Sequence, residues 1–198
     1  MPLLATVSFR VLSLVALSLI TLVPLSAAEP VSVGDAAPDF KVLTLEGKQI
    51  SLDHFSDAKV VVVCFTCNAC PVAKSYETRL RKFASEYKVK GVELVAINCD
   101  FKEVMGGVAK HIKGKNLGYT YALDESGKSA RDYGAQVTPQ LFVLDENRKL
   151  AYMGPFDDDM SKPTITFVSD AVDAVLGGGE PSVTSKRPFG CRIKLKRR

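Results

Sequence analysis

Six consecutive residues, Val60-Val61-Val62-Val63-Cys64-Phe65, form an unbroken apolar and largely β-branched run. A strand with one wet face alternates apolar and polar residues, so this one is predicted to be covered on both faces of a sheet. Just downstream, Val72, Ala73, Tyr76, Leu80, Phe83, Ala84 and Tyr87 recur at spacings of three and four. That spacing predicts one long amphipathic helix. A doubly buried strand that feeds a helix needs packed structure above and below the sheet, which is the layering of an α/β fold.

The rest of the chain supplies the other layers. Phe40–Leu45 and Lys48–Leu52 flank Glu46-Gly47 and predict an N-terminal β-hairpin, and Val92–Asn98 predicts a second buried strand. Val104, Val108 and Ile112 mark a weaker helix that Gly106-Gly107 interrupts. Gln140–Leu144 and Leu150–Met153 bracket Asp145–Lys149 as a second hairpin. A last helix carries Val168, Ala171, Val172, Val175 and Leu176 on one stripe and stops at Gly177–Gly179. The sum is one domain with a central mixed β-sheet flanked by helices.

Both ends of the chain differ from this body. Residues 1–28 contain Arg10 as their one charge, an apolar run from Val11 to Val23, and then Pro24-Leu25-Ser26-Ala27-Ala28, whose small residues suit signal-peptidase cleavage. The run is shorter than the roughly 20 residues a spanning helix needs, so a cleaved secretory signal is predicted, with an N-terminal membrane anchor as the alternative. The expected division is a signal at 1–28, a domain at 29–180 and a basic tail at 181–198. A periplasmic or secreted protein keeps its cysteines where disulfides persist.

The net charge of +4 comes from 26 basic and 22 acidic residues, and seven of the basic ones lie in 186–198. With Arg10 also set aside, the body is acidic by four, which argues against nucleic acid as a partner. The tail is expected to touch an acidic partner or an anionic membrane surface, and the protein to be a monomer. Cys191, Ile193 and Leu195 alternate with basic residues and predict a strand that docks on the body by one face.

The chemistry concentrates in Cys67-Asn68-Ala69-Cys70, between the buried strand and the long helix. Backbone N–H groups and the helix dipole favour an anion there. A free thiol has a pKa of about 8.5, which such a position lowers, so one sulfur can attack a disulfide while the other resolves the mixed disulfide. Cys67 is expected to be the exposed nucleophile and Cys70 the shielded resolving thiol. Pro71 fits the first helical turn.

Other uses of the motif fit less well. A zinc site needs further ligands, and Cys64, Cys99, Cys191, His54 and His111 stand at unhelpful spacings. Cys64, Cys67 and Cys70 resemble part of a ferredoxin series, yet its fourth position is Lys74. No cofactor and no metal is therefore expected.

A second element supports redox use. Val137-Thr138-Pro139 precedes the strand Gln140–Leu144, at a place where a sheet tolerates proline. With Val33-Gly34-Asp35-Ala36-Ala37-Pro38-Asp39-Phe40 and the strand leading into Cys67–Pro71, it resembles the thioredoxin-like redoxin family of AhpC/TSA and TlpA-type proteins. The resemblance runs from about Val31 to Leu176. It implies a thioredoxin-like fold, a thiol–disulfide oxidoreductase activity on protein partners, a cis Pro139 against the cysteines, and a Thr138 backbone that pairs with an incoming peptide. Gly190-Cys191-Arg192-Ile193-Lys194 is similar to the ending of a bacterial secreted branch, whose members often carry His where this chain has Ala69. Without that imidazolium a strongly oxidising role is not implied. Thioredoxin's Trp is replaced by Thr66, and no acid stands on the apolar strand to serve Cys70.

Two rival functions follow from related families. Peroxiredoxins use Pro-x-x-x-Thr-x-x-Cys, but Cys64 and Val60 precede Cys67, and Cys67 and Val63 precede Cys70, at the matching positions. A copper-binding chaperone of the Sco type pairs its cysteines with a distal His, at spacings that differ from those of this chain. Cys64 reads as a small buried hydrophobe. Cys99 and Cys191 are candidate accessory thiols, Cys99 because it ends a parallel strand, and a bridge from Cys191 would go to Cys99 or Cys64. Asp157-Asp158-Asp159 reads as a solvated loop, and His54 and His111 as surface residues. Reductant, oxidant and isomerase share these residues and differ in reduction potential.

Overall fold

The computed structural model describes residues 30–196, so the predicted signal at 1–28 lies outside the described residues. In chain order the elements are β1 (Val42–Thr44), β2 (Gln49–Ile50), a 3-10 turn (Leu52–Phe55), β3 (Val60–Thr66), α1 (Pro71–Lys88), β4 (Val92–Asn98) and α2 (Met105–Ile112). There follow β5 (Thr120–Leu123), α3 (Lys128–Asp132), β6 (Val137–Thr138), β7 (Gln140–Leu144), β8 (Leu150–Gly154), α4 (Phe167–Leu176) and β9 (Cys191–Arg192).

Seven strands form one sheet in the order β2-β1-β5-β4-β3-β7-β8. The β3, β4 and β5 strands run parallel, while β7 pairs with β3, and β1 with β5, antiparallel. The sheet is mixed because hairpins add antiparallel strands at both margins of a parallel centre.

Strand β3 shows why its residues contain no polar position. Val60, Val62 and Cys64 join the core under Tyr76, Leu80 and Phe83 of α1 and Val168 and Val172 of α4. Val61, Val63 and Phe65 point to the opposite face, against Phe40, Leu52, Ala130, Tyr133 and Phe142. Phe65, Tyr133 and Phe142 meet edge to face with centroids 5.1–5.6 Å apart. A two-residue period with both faces buried is what the unbroken run encodes. Cys64, fully buried, is one packing atom set among these, and burial pushes its thiol up to about 12.

The predicted hairpins, buried strands and three longer helices form where expected, although β1 and β2 are shorter than the sequence suggested. Strand β5 and helix α3 add to the prediction. Residues 119–123 are an aromatic and apolar stretch between Gly118 and Asp124, a strand signal with turn residues at each end.

Asp157 corrects the solvated-loop reading. Its side chain is 1% exposed and accepts the Tyr76 hydroxyl and the Arg79 guanidinium, each at 2.5 Å. Asp158 and Asp159 stay at the surface, where they accept backbone N–H groups of residues 161–165.

The segment after α4 lies along the body. The N–H of Met153 donates to the Thr184 carbonyl and that of Lys186 to the Met153 carbonyl. Val183 and Phe189 pack on the α1 side of the sheet, and Ile193 and Leu195 on the other. Arg192, Lys194 and Lys196 alternate with them and face solvent, as the apolar/basic pattern predicts.

Candidate active site

The loop from Cys67 to Cys70 joins the carboxyl end of β3 to the start of α1. Ligands of open α/β sheets gather at that end. Pro71 takes the first helical position, where its missing N–H leaves no bond unmade, and so fixes Cys70 as the N-cap. The Cys70 sulfur accepts the Ala73 N–H at 3.3 Å, and its thiol reaches the Thr138 carbonyl at 3.2 Å.

Cys70 is the more shielded of the two cysteines, as expected, and helix position sets their surroundings apart. Both are buried, Cys67 at 7% and Cys70 at 2% exposure. Burial alone would raise the Cys70 pKa, but the Cys191 thiol, Thr138, the Ala73 N–H and the Cys191 N–H outweigh it and hold the value below 9.0. Cys67 lies one turn before the helix, and burial with the nearby Glu103 carboxylate pushes its thiol up to about 12. The surroundings thus favour a thiolate more at Cys70 than at Cys67.

The Thr138 hydroxyl fits this assignment. It is buried and has no hydrogen-bond partner among the described residues. Beside Cys70, Thr138 helps to lower that thiol's pKa. The Thr138-Pro139 bond is cis, as the family resemblance implied.

Cys67 faces a polar cluster from the β4–α2 connection. Its sulfur lies 3.8 Å from Asp100 Oδ2. Glu103 accepts the N–H groups of Asn68 at 3.1 Å and Ala69 at 2.7 Å, and also the Asn98 side-chain amide at 2.7 Å. Tyr121 donates to Asn68 Oδ1 at 2.7 Å, so β4, β5 and the α2 approach all fix the motif loop. Cys99, at the end of β4, is fully buried, and burial together with Asp124 and Cys67 raises its pKa.

Cys67, Asp100 and Glu103 bring ligand atoms within 4.8 Å of one another. Both Glu103 oxygens are already engaged by N–H donors, which a cation would have to displace. The histidines lie elsewhere: His111 pairs with Glu77 at 2.8 Å, and His54 caps the 3-10 turn through Ser51.

Cys191 is where the sequence reading and the structure part most clearly. Strand β9 pairs antiparallel with β6, placing Cys191 opposite Thr138, and Cys191 packs against the cluster of Cys67, Cys70 and Ala73 with its thiol on Cys70. The expected partners, Cys64 and Cys99, are buried in the two cores on either side of the sheet, and all three are free thiols.

Residues 33–153 match the AhpC/TSA family. The chain belongs to this family. Among its relatives, the thiol-disulfide oxidoreductase ResA of Bacillus cereus is 31% identical over 125 residues, 63% of this chain and 70% of that protein. A hypothetical protein of Sinorhizobium meliloti superposes with a TM-score of 0.77 at 32% identity, covering 86% of this chain and 98% of its own. The putative thiol:disulfide interchange protein DsbE of Chlorobium tepidum gives 0.56 at 28% identity, over 62% and 84% of the two chains. Peroxiredoxins match more weakly. The fold is thioredoxin-like, and the AhpC/TSA relatives named thiol-disulfide oxidoreductase place the chain in an oxidoreductase family.

Within this AhpC/TSA frame, Asn98, Asp100, Glu103 and Tyr121 are the site residues that motif reading missed. A signal for them existed. The ends of parallel strands collect active groups, and Asn98 and Asp100 flank the Cys99 that this rule singled out.

Proposed function

We propose that the chain is an extracytoplasmic thiol–disulfide oxidoreductase that acts on protein thiols and disulfides through Cys67 and Cys70. One observation carries the reading: the Cys70 sulfur sits on a helix N-cap among donors that favour its thiolate, with a protonated Cys67 held on the same short loop. A helix-capped thiolate with a neighbouring thiol is the arrangement that disulfide exchange requires.

In the reducing direction the Cys70 thiolate attacks one sulfur of a client disulfide. A Cys70–client bond forms, the client bond breaks, and the second client sulfur leaves as a thiolate. Cys67 then gives up its proton, for which the Asp100 carboxylate at 3.8 Å is an acceptor, and attacks Cys70. The Cys67–Cys70 disulfide forms and the first client sulfur departs. Each step reversed describes client oxidation. The extracytoplasmic assignment rests on the signal-like residues 1–28 and on the redox conditions in which such pairs cycle.

A peroxidase reading lacks its motif threonine and proline at both cysteines, and a copper-chaperone reading lacks a histidine in the cluster. The test is the Cys67–Cys70 reduction potential of wild type, with insulin reduction by wild type and Cys70→Ser. Wild type should reduce insulin and Cys70→Ser should lose turnover. Unchanged turnover without Cys70 would sink the proposal.

A further inference from the structure

The Thr138 edge, where the family resemblance places a client peptide, is already paired with residues of the same chain. Cys191 and Arg192 run antiparallel to Val137 and Thr138, and Cys191 stands opposite Thr138. Its sulfur packs against Cys70, whose own thiol meets the Thr138 carbonyl at 3.2 Å. A client cysteine poised for exchange would have to arrive at this position.

The segment is held there on both sides. The Ile193 N–H donates to the Gln136 carbonyl at 3.0 Å, and the Phe101 N–H to the Lys194 carbonyl at 3.0 Å. Upstream, residues 184–186 bond to Met153. Gly190, with φ +150°, passes so close that a Cβ there would fall 2.1 Å from the Thr138 carbonyl oxygen. Only glycine allows this approach. Leu195 sits over Gly127, where a Cβ would lie 2.5 Å from its Cδ2. Backbone bonds, apolar anchors and a glycine at the tightest point fix the placement of one sulfur.

We propose that Cys191 is a third redox thiol of this site, which exchanges with Cys70 to form a Cys70–Cys191 disulfide. The inference rests on Cys70 being redox-active, as proposed above. Starting from the Cys67–Cys70 disulfide, Cys191 loses its proton to solvent and its thiolate attacks the Cys70 sulfur. The Cys70–Cys191 bond forms, the Cys67–Cys70 bond breaks, and the electron pair leaves on Cys67, which takes up a proton. One disulfide has moved: the Cys191 sulfur is oxidised and the Cys67 sulfur reduced by the same amount, so no outside oxidant is needed. Tethering makes the attack intramolecular, so no client at ordinary concentration matches its local concentration. The same step resolves a Cys70–client mixed disulfide and frees the client thiolate. In the exchanged form the tail is bonded across the client edge, and after reduction hydrogen bonds and side-chain packing alone keep it there.

The test uses the purified full chain as wild type, Cys67→Ser and Cys67→Ser/Cys191→Ser. Each is treated with oxidised glutathione, quenched in acid, alkylated, digested without reductant and analysed by mass spectrometry. Cys67→Ser should lose two thiols and yield a peptide pair linking Cys70 to Cys191, whereas the double variant should keep glutathione on Cys70. Stable glutathione on Cys70 of Cys67→Ser, with Cys191 fully alkylatable, would overturn the inference. Wild type quenched during turnover gives the same readout without depending on a variant's folding, and a Cys70–Cys191 peptide pair is expected there too. The outcomes separate the two claims. Wild type that forms the Cys67–Cys70 bridge and reduces insulin, without any Cys191 linkage in either protein, removes this inference and leaves the oxidoreductase standing. A Cys70 that reacts with no disulfide in any of the three removes both.

Discussion

Glu103 accepts the backbone N–H of Ala69 at 2.7 Å, so a carboxylate from the β4–α2 connection closes over the loop between the two motif cysteines. The same charge disfavours a thiolate on Cys67, whose pKa burial and Glu103 together raise to about 12. Replacing Glu103 by Gln keeps the side-chain shape and removes the charge. The Cys67 pKa should then fall, and Cys67 should be alkylated at lower pH than in wild type. Each unit of decrease raises the thiolate fraction at neutral pH about tenfold. Site-resolved iodoacetamide rates from pH 6 to pH 10 check this, and an unchanged Cys67 profile counts against the assigned role of Glu103.

Cys70 should titrate in the opposite sense. Its surroundings lower its pKa from the ordinary thiol value, so its alkylation should persist to lower pH than that of an ordinary thiol. Thr138→Val deletes a buried hydroxyl that has no hydrogen-bond partner among the described residues. The Cys70 pKa should rise, slowing alkylation at neutral pH. Stability at neutral pH should hold or increase, because a buried unsatisfied hydroxyl costs about 1–3 kcal/mol. A Cys67→Ser background isolates the Cys70 signal.

Gly190→Ala tests how tightly the tail is seated. The added methyl collides with the Thr138 carbonyl, a strain on the order of 1–3 kcal/mol. Since 1.4 kcal/mol is a factor of ten, trypsin should cut at Arg192 or Lys194 about tenfold or more faster. The melting temperature of the body should move little. Equal cleavage rates would show that β9 contributes nothing to holding the tail.

Asp157→Ala strands the Tyr76 hydroxyl and the Arg79 guanidinium beside a buried gap. The expected loss is about 1–3 kcal/mol, read as a fall in melting temperature of about 2–4 °C per kcal/mol for a chain of this size. Asp158→Ala, at the exposed neighbour, should cost less.

Much of this was legible in the sequence where local pattern and tertiary demand agree. The Val60–Phe65 run announces a strand with two dry faces, and the stripe of α1 announces what covers one of them. The cysteine pair and Thr138-Pro139 announce themselves by chemistry. The charge environment of the pair did not, because it comes from Asp100 and Glu103, more than thirty positions away. Pro71 in the first helical turn was legible and makes Cys70 the cap of α1. The tail's alternation revealed the face that docks, while its destination depends on an edge that exists only once β6 is in place.

The parts of the site come from opposite ends of a ladder of local opening. Strand β3 has a partner along each edge and side chains buried on both faces, so its amides should exchange with deuterium only when the whole domain unfolds. Strands β6 and β9 form a separate two-stranded sheet two residues long, which should open far more often. The hinge between order and release thus runs through the site itself. Thermal fluctuation can bare the Thr138 edge many times while the strand that presents Cys70 stays intact.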